Sequence, residues 1–279
     1  MSDSRSSVLI AVGDLAAGNT GKAPLVILDV SDDLVTSPLE RSVIPGAIAV
    51  SLASDFSGAP TKLGGRRPLP DANVLQENLR RLGIGPDSLV VVYDNAKGAQ
   101  AGRAWWTLRW AGHSNVRLLD GGFAAWTAAE HEVAAQPAHP PGNGSLTVTP
   151  GGMPTIDADD AAEIARSGVL LDARGKAAYE GEPDKPATGH IPGAICAPSA
   201  GAIGADGCFK STEELRAHFA GLGADGSQPT GVYCGSGNAA AHELVAMYAA
   251  GIEAPLYVGS MSAWTGDPAR PVAKGQERG

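Results

Sequence analysis

The sequence has little cysteine, few aromatic residues and no long apolar run. Its 279 residues include only three cysteines, an odd number that does not make a disulfide framework in a chain of this length. This indicates a reducing compartment, and we expect a cytoplasmic location. The first residues contain no apolar segment of the secretory kind, so we expect no signal peptide. No apolar run approaches the roughly 20 residues that a membrane-spanning helix needs, so we expect no membrane partner.

Basic residues are also scarce. The chain has 21 Lys and Arg against 30 Asp and Glu, which gives a formal net charge of −9. Nucleic-acid binding requires a basic face, so this charge balance argues against a nucleic-acid partner. The cysteines lack the Cys-x-x-Cys spacing that is typical of zinc sites, and we expect no bound metal.

What the sequence does contain is an internal repeat. Four segments recur in the same order about 140 residues later in the chain. The pairs of segments are 25–30 with 169–173, 44–48 with 191–195, 90–94 with 231–234, and 118–126 with 256–264. We therefore predict a duplicated domain: a first domain at 1–130, a linker at 131–154 that is rich in turn-forming residues, and a second domain at 155–279.

Within each copy, short apolar strands alternate with helical patterns. The predicted helices lie at 71–82 and 102–111 in the first copy and at 212–220 and 240–250 in the second. Alternating strands and helices predict an α/β fold with a mainly parallel sheet and helices on both of its faces. Ligands of such sheets bind beyond the carboxyl ends of the strands.

A cysteine lies at one of these strand ends. The predicted strand at 231–234 ends on Cys234, and Gly235, Ser236 and Gly237 lead from it into a predicted helix. Glycines let backbone N–H groups converge on one point, and a helix N-terminus adds partial positive charge there. Such a position favours the thiolate, which is the nucleophilic form of cysteine. The alternative is a buried cysteine that packs as a small apolar residue.

Several motifs resemble those of one enzyme family. They are Leu-Asp-Ala-Arg at 171–174, Gly-His-Ile-Pro-Gly-Ala at 189–194, Cys-Gly-Ser-Gly at 234–237, Asp-Pro-Ala-Arg-Pro-Val at 267–272, Arg-Pro-Leu-Pro at 67–70 and Leu-Asp-Gly-Gly-Phe-Ala-Ala-Trp at 119–126. With them, nearly the whole chain resembles the tandem-domain rhodanese-like sulfurtransferases. The Cys-Gly-Ser-Gly loop is more similar to 3-mercaptopyruvate sulfurtransferases, because thiosulfate enzymes of the family tend to have basic residues directly after the cysteine.

The resemblance implies a reaction. Cys234 would take a sulfur atom from 3-mercaptopyruvate as a persulfide and pass it to an acceptor such as thioredoxin, a small thiol or cyanide, without a metal or organic cofactor. Transfer from thiosulfate is the alternative. The loop residues that would bind the donor and the persulfide are Gly235, Ser236, Gly237, Asn238 and Ala239.

Four polar side chains near these motifs have competing interpretations. Arg174 is a candidate for binding the donor carboxylate, and a structural ion pair with Asp172 or Glu180 is the alternative. Ser236 is a candidate for bonding the donor, and an N-cap of the following helix is the alternative. His242 is predicted to lie on a solvated helix face beside Glu243, and His190 is predicted to be structural.

The repeat also indicates which copy is active. Cys234 aligns with Asp94 and Arg174 aligns with Ser31, so we expect the first copy to be catalytically inactive. Some family members place an Asp and a His of the first domain near the loop serine. Here 51–55 and Arg66-Arg67-Pro68 occupy those stretches, so a Ser–His–Asp relay is left open.

Two other classes of function compete with this interpretation. A cysteine phosphatase would need an arginine that closes the loop on the phosphate, but positions 239–241 are all alanine. A binding module without catalysis would suit the first copy, which has Asp94, but not the second copy, which has Cys234.

Overall fold

The chain, described here from a computed structural model, forms two compact units. The structure describes residues 4–31, 42–182, 184–185 and 188–279. The first unit comprises Met1–Gly58, Leu69–Met153 and Ala205–Phe209, and the second comprises Ala59–Pro68, Pro154–Gly204 and Lys210–Gly279. Each unit therefore includes a short segment from the half of the sequence that mainly builds the other unit.

The first unit contains one parallel sheet. Its strands are β1 (Leu9–Ile10), β2 (Leu25–Ser31), β3 (Ile48–Ser51), β4 (Leu89–Tyr93) and β5 (Val116–Leu119). Its helices are α1 (Ser4–Val8), α2 (Val12–Ala16), α3 (Leu52–Asp55), α4 (Ala72–Arg81), α5 (Ala99–Trp110) and α6 (Gly122–Ala128). The strand order is β1-β5-β4-β2-β3, and all of these pairs are parallel.

The second unit repeats this topology. Its strands are β6 (Thr155–Ile156), β7 (Val169–Asp172), β8 (Ile195–Cys196), β9 (Thr230–Tyr233) and β10 (Leu256–Tyr257). Its helices are α7 (Ala158–Ser167), α8 (Lys176–Glu180), α9 (Thr212–Gly221), α10 (Asn238–Ala249) and α11 (Ser260–Trp264), with a 3₁₀ turn at Ser199–Ala202. The order β6-β10-β9-β7-β8 is that of the first unit, strand for strand. The predicted duplication and the α/β fold are confirmed.

The strands could be recognised in the sequence because they are buried on both faces. All five residues of the central strand β4 are buried, as are all four residues of β9. A strand covered on both faces reads as a continuous apolar run and not as an alternating pattern. The predicted segments 90–94 and 231–234 accordingly agree with the observed strands to within one residue at each end.

The helices agree in place with those predicted from the apolar periodicity. The helix predicted at 71–82 is α4, and the side chain of Asp71 caps it by accepting from the backbone N–H groups of Asn73 and Val74. The helices α5 and α10 begin earlier than predicted, because each follows a glycine with a positive φ angle. Among the described residues, no helix combines the length and the apolar character that crossing a membrane requires.

Asp120 forms hydrogen bonds to both the first and the last segment of the first unit. Its carboxylate accepts a hydrogen bond from Arg5 Nη2 at 2.7 Å and another from the backbone N–H of Phe209 at 2.8 Å. Arg5 also donates to the Phe209 carbonyl oxygen at 3.0 Å. The segment Ala205–Phe209 is therefore held in the first unit by hydrogen bonds to a half-buried carboxylate.

A buried tyrosine performs the same task in each unit. The hydroxyl of Tyr93, at the end of β4, accepts the backbone N–H of Ile44 at 3.1 Å. The hydroxyl of Tyr233, at the end of β9, accepts the backbone N–H of Ile191 at 3.0 Å. Both isoleucines begin the repeated Ile-Pro-Gly-Ala motif and both are buried, so each tyrosine satisfies an N–H group that water does not reach.

We expect Tyr93→Phe and Tyr233→Phe each to lower the free energy of unfolding by about 1–3 kcal/mol, because each change leaves a buried N–H group without an acceptor. Urea unfolding of the full chain measures the loss. Tyr257→Phe is the matched control: Tyr257 is buried, and its hydroxyl makes no hydrogen bond to any described residue. Equal losses in all three variants would contradict this account.

Candidate functional site

Cys234 lies between the central strand and the following helix of the second unit. It is the first residue after β9, and only 2% of its surface is exposed. Gly237 is the N-cap of α10 with a φ of 89°, a conformation that glycine adopts without strain. This turn points the backbone N–H of Gly237 at the Cys234 Sγ, 3.1 Å away. The sulfur thus meets a helix N-terminus, as the sequence predicts.

The turn at the start of α11 holds the backbone of the cysteine loop through hydrogen bonds. Met261 and Ser262 donate their backbone N–H groups to the carbonyl oxygens of Cys234 and Gly235, at 2.9 and 3.0 Å. Ser260 accepts the Cys234 backbone N–H at 3.1 Å through its hydroxyl, although its φ of 52° is unusual for a residue with a side chain. The first repeat has Gly122 at the position of Ser260. These contacts fix the backbone on either side of the sulfur.

The corresponding loop of the first unit is occupied by a carboxylate. Asp94, the first residue after β4, accepts four backbone N–H groups at 2.7–2.9 Å. The donors are the residues Ala96, Gly98, Gln100 and Ala101. Gly98 is the N-cap of α5, as Gly237 is of α10, and both donate to the first residue after the strand. The equivalent strand-to-helix turn, which is one residue longer in the first unit, therefore directs its N–H groups to a carboxylate there.

Arg174 forms the structural ion pair that was one of its two predicted roles. Its Nε lies 2.8 Å from Asp172 Oδ1, and its Nη2 donates to Asp172 Oδ2 and to the carbonyl oxygen of Gly189. Asp172 is completely buried. Burial opposes the charge of Arg174, but the hydrogen bonds and attraction of Asp172 outweigh it and raise the pKa of the guanidinium. Of the two alternative partners, Asp172 forms the pair, and Glu180 instead lies 3.5 Å from Lys176.

Arg66 is a second arginine near the loop. A side-chain carbon placed on Gly235 would lie 3.2 Å from Arg66 Nη2 and 3.9 Å from Arg174 Cδ. The backbone N–H of Arg66 donates to the Ser262 hydroxyl at 3.0 Å. Arg66 belongs to the segment Ala59–Pro68 of the second unit. Sequence analysis noted this residue only as part of a departure from the family pattern.

The remaining loop residues are half-buried. Ser236, Asn238 and Ala239 lie around the start of α10, and the Oδ1 atom of Asn238 is buried without a hydrogen-bond partner among the described residues. The N-cap of α10 is Gly237, and no side chain caps this helix. The alternative interpretation of Ser236 as an N-cap is therefore wrong, because the helix begins one residue later.

Of the two predictions for histidines, the one for His190 agrees with the structure and the one for His242 does not. His190 is buried, with its Nδ1 2.9 Å from the Tyr179 carbonyl oxygen and its ring stacked on that of Tyr179, which agrees with a structural role. His242 and Glu243 were predicted to be solvated, and this is wrong: their exposures are 3% and 0%. The helix α10 has no polar face, because nearly all of its residues are buried.

The other two cysteines are less suited to act as nucleophiles. Cys196 and Cys208 are partly exposed and form no disulfide. Burial raises the pKa of the Cys196 thiol, and Asp172 and Glu180 raise it further. Burial and the carboxylates of Asp120 and Asp206 likewise raise the pKa of the Cys208 thiol. Both thiols are therefore held in the protonated form near neutral pH.

The two repeats also match one known protein family. Residues 13–129 and 157–267 each match the Rhodanese-like domain. The chain belongs to the rhodanese family. This confirms the resemblance inferred from the motifs, and it identifies both parallel sheets as sheets of rhodanese-like domains.

Several of the similar rhodanese proteins are sulfurtransferases by name. One from Mycobacterium tuberculosis, provisionally named thiosulfate sulfurtransferase SseB, is 39% identical over 282 residues, 97% of this chain and 98% of its own length. One from Pseudomonas aeruginosa, provisionally named a 3-mercaptopyruvate sulfurtransferase, is 43% identical over 253 residues, 85% of this chain and 86% of its own. The solved structure of SseA from Escherichia coli, described as a 3-mercaptopyruvate sulfotransferase, has a TM-score of 0.76 at 27% identity and covers 90% of this chain and 98% of its own.

Sequence analysis did not assign a role at the rhodanese loop to three residues that the structure places there. Ser260 and Ser262 hold the loop backbone, and Arg66 lies beside Gly235. A signal existed for Ser260, since the repeat aligns it with Gly122 and so marks a position that requires a positive φ angle. No local pattern marks Arg66, because it lies far from Cys234 in the sequence.

From the burial of Glu243 we expect the stability of this rhodanese chain to depend on pH. Its carboxyl oxygens are buried without hydrogen-bond partners in the described part of the chain. Burial raises its pKa well above the usual value, and the charge of Asp172 raises it further. The folded state therefore retains a proton that the unfolded state releases as pH rises, so this group destabilises the fold progressively above its unfolded pKa.

We expect Glu243→Gln, which mimics the protonated carboxyl, to exceed the native stability only slightly near pH 5 and by much more near pH 8. Unfolding midpoints in urea at both pH values measure the difference. Glu213→Gln, at an exposed glutamate of α9, is the control and should leave the pH dependence unchanged. The same stability difference at both pH values would show that Glu243 does not retain its proton in the folded chain.

Proposed function

We propose that this protein is a sulfurtransferase that moves a sulfur atom from 3-mercaptopyruvate to a thiol or cyanide through a persulfide on Cys234. The observation that supports this most is the position of the Cys234 Sγ, 3.1 Å from the backbone N–H of Gly237 at the start of α10. A thiolate there is stabilised by a converging N–H group and by the helix N-terminus. The sulfurtransferase names of its relatives add independent support.

The reaction proceeds in two displacements. The Cys234 thiolate attacks the sulfur of 3-mercaptopyruvate, a sulfur–sulfur bond forms, and the carbon–sulfur bond of the donor breaks. The bonding electrons leave with pyruvate enolate, which takes up a proton. The acceptor thiolate or cyanide then attacks the outer sulfur and releases the Cys234 thiolate, so the protein returns to its first state without a net redox change.

The first unit suggests which N–H groups hold the persulfide. There, the loop and helix donors to Asp94 include Gly98, Gln100 and Ala101. Counted from the N-cap glycine, the helix positions equivalent to Gln100 and Ala101 are Ala239 and Ala240. We therefore propose that the outer sulfur, which has anionic character, accepts from the N–H groups of residues 235–240, a set that extends the predicted one by Ala240.

The first unit is proposed to be inactive. Asp94 replaces the nucleophile, and its carboxylate already occupies the N–H groups that a persulfide would need. Ser31 stands where the second unit has Arg174, and its hydroxyl bonds the carbonyl oxygen of Val50. We propose an inactive domain at 1–130, a linker at 131–154 and a catalytic domain at 155–279, as the sequence predicts.

Arg174 is proposed to serve both of its predicted roles. Asp172 and Gly189 bind its Nε and Nη2 atoms, and Nη1 takes no part in these contacts. The buried carboxylate orients the guanidinium next to Gly235, and Nη1 is the group that we propose meets the donor carboxylate. Ser236 is proposed to bond the donor carbonyl.

Transfer from thiosulfate is the second candidate. Thiosulfate is a small dianion and has to be bound by positive charge close to the cysteine. Gly235 and Ser236 supply none, but Arg66 Nη2 lies beside Gly235. We propose thioredoxin, a small thiol or cyanide as the acceptor and the cytoplasm as the location; these choices rest on the cysteine usage and the family's chemistry.

We expect Cys234→Ser to abolish transfer from both donors, because an alcohol cannot form a persulfide. Mass spectrometry of the native chain after incubation with 3-mercaptopyruvate should show the mass of one added sulfur atom, located on Cys234. Cys196→Ser and Cys208→Ser are the matched controls and should retain most of the activity. Substantial transfer by the Cys234→Ser variant would rule out the proposed nucleophile.

For the native chain we expect a higher kcat/KM with 3-mercaptopyruvate than with thiosulfate, measured with one common acceptor. Changing Gly235→Arg together with Ser236→Lys should shift this ratio toward thiosulfate by at least about tenfold, because a cation at ~4 Å contributes up to about 4 kcal/mol at an effective dielectric of 20. Gly235 does not have a positive φ angle, so a side chain there causes no backbone strain.

The control for this variant is Gly235→Ala with Ser236→Ala, which alters the same positions without adding charge. An unchanged ratio in the charged variant, or a native chain that already prefers thiosulfate, would contradict the assignment of 3-mercaptopyruvate as the donor.

A further inference from the structure

We propose that Arg66 acts together with Arg174 in attracting the anionic group of the sulfur donor, and that it thereby favours anionic donors over uncharged sulfur compounds. The inference rests on the proposed function for the identity of the donor. The prediction that Arg66 attracts anions to the surroundings of Cys234 is independent of the proposed function.

The segment that bears Arg66 is fixed in the second unit. Thr61 and Gly65 pair their backbones in a short antiparallel bridge. Next to it, the backbone N–H of Arg66 donates to the Ser262 hydroxyl, and Ser262 in turn donates its N–H to the Gly235 carbonyl oxygen. Two consecutive hydrogen bonds thus connect the backbone of Arg66 to the residue that follows the nucleophile.

The side chain of Arg66 reaches the same residue. Its Nη2 lies 3.2 Å from the place that a side chain on Gly235 would occupy, and Arg174 Cδ lies 3.9 Å from that place. The two arginines therefore flank Gly235. A glycine at this position leaves the space between them open to a small molecule.

The two arginines differ in how far their charge is neutralised. Arg174 is bound to the buried carboxylate of Asp172, so this ion pair adds little net charge to the site. Arg66 is exposed and forms no ion pair with any described carboxylate. In a chain with a net charge of −9, Arg66 places a positive charge next to the cysteine loop.

Both candidate donors are anions. Mercaptopyruvate has a carboxylate, and thiosulfate has its sulfonate-like oxygens. A guanidinium binds either group through two parallel N–H donors. Because Arg66 is exposed, its attraction weakens as salt screens it, and it discriminates against uncharged sulfur compounds more than between the two anions.

The test compares two alkylating reagents of similar size on Cys234, the anionic iodoacetate and the neutral iodoacetamide. Their rates depend equally on the fraction of thiolate, so the ratio of the two rates reports only the attraction of the anionic reagent. We expect Arg66→Gln to lower the ratio of iodoacetate to iodoacetamide rates about fivefold, the effect of one unit charge at about 4 Å in water.

Lys62→Gln is the matched control, because it removes the same charge from the same segment at an exposed position. It should leave the ratio unchanged. Mass spectrometry assigns the alkylation to Cys234 and separates it from Cys196 and Cys208. An unchanged ratio in Arg66→Gln, or an equal fall in Lys62→Gln, overturns the proposal.

Donor kinetics give the second measurement. Arg66→Gln should lower kcat/KM at least about fivefold with both donors, mainly through KM, and Arg66→Lys should restore part of it because the charge remains. Circular dichroism and the unfolding midpoint check that the variants are folded. A lower alkylation ratio with unchanged kcat/KM for both donors overturns the role in donor recognition. If the native chain transfers sulfur from neither donor, the proposed function fails, and the alkylation ratio still decides the role of Arg66.

Discussion

Backbone N–H groups converge at the point where the central strand of each unit meets the next helix, and the rest of each site is arranged around this convergence. A buried N–H group without an acceptor costs about 1–3 kcal/mol, so several together require an anion or an equivalent acceptor. In the first unit Asp94 provides that acceptor permanently. In the second unit the Cys234 sulfur accepts from Gly237. Two equivalent strand-to-helix turns, of which the first is one residue longer, thus direct their N–H groups to a carboxylate in the first unit and to a thiol in the second.

The fold and the nucleophile could be predicted from the sequence because both leave local signals. Strands buried on both faces produce continuous apolar runs, and the repeat doubled each signal, so β4 and β9 were placed within one residue. Cys234 was recognisable because glycines and a helical pattern follow it directly. The helix α10 shows the limit of such signals: His242 and Glu243 are polar, but the helix is covered on all sides.

The parts of the site that come from distant segments left no such signal. Ser260 and Ser262 act on the loop through hydrogen bonds that only the packed structure reveals. The charge balance also depends on pairing in space, since Asp172 neutralises Arg174 and leaves Arg66 as the cation beside Gly235. A sequence gives the number of charges near a motif, and the structure gives the number that remain unpaired.

The segment Ala205–Phe209 has a consequence for the order in which the chain acquires its structure. The first unit needs this segment, since Asp120 binds Phe209 as well as Arg5. On the ribosome, residues 1–153 emerge before it, with one partner of Asp120 still unsynthesised. The first unit can therefore be completed only when nearly half of the second has been translated, which couples the maturation of the two repeats despite their separate hydrophobic cores.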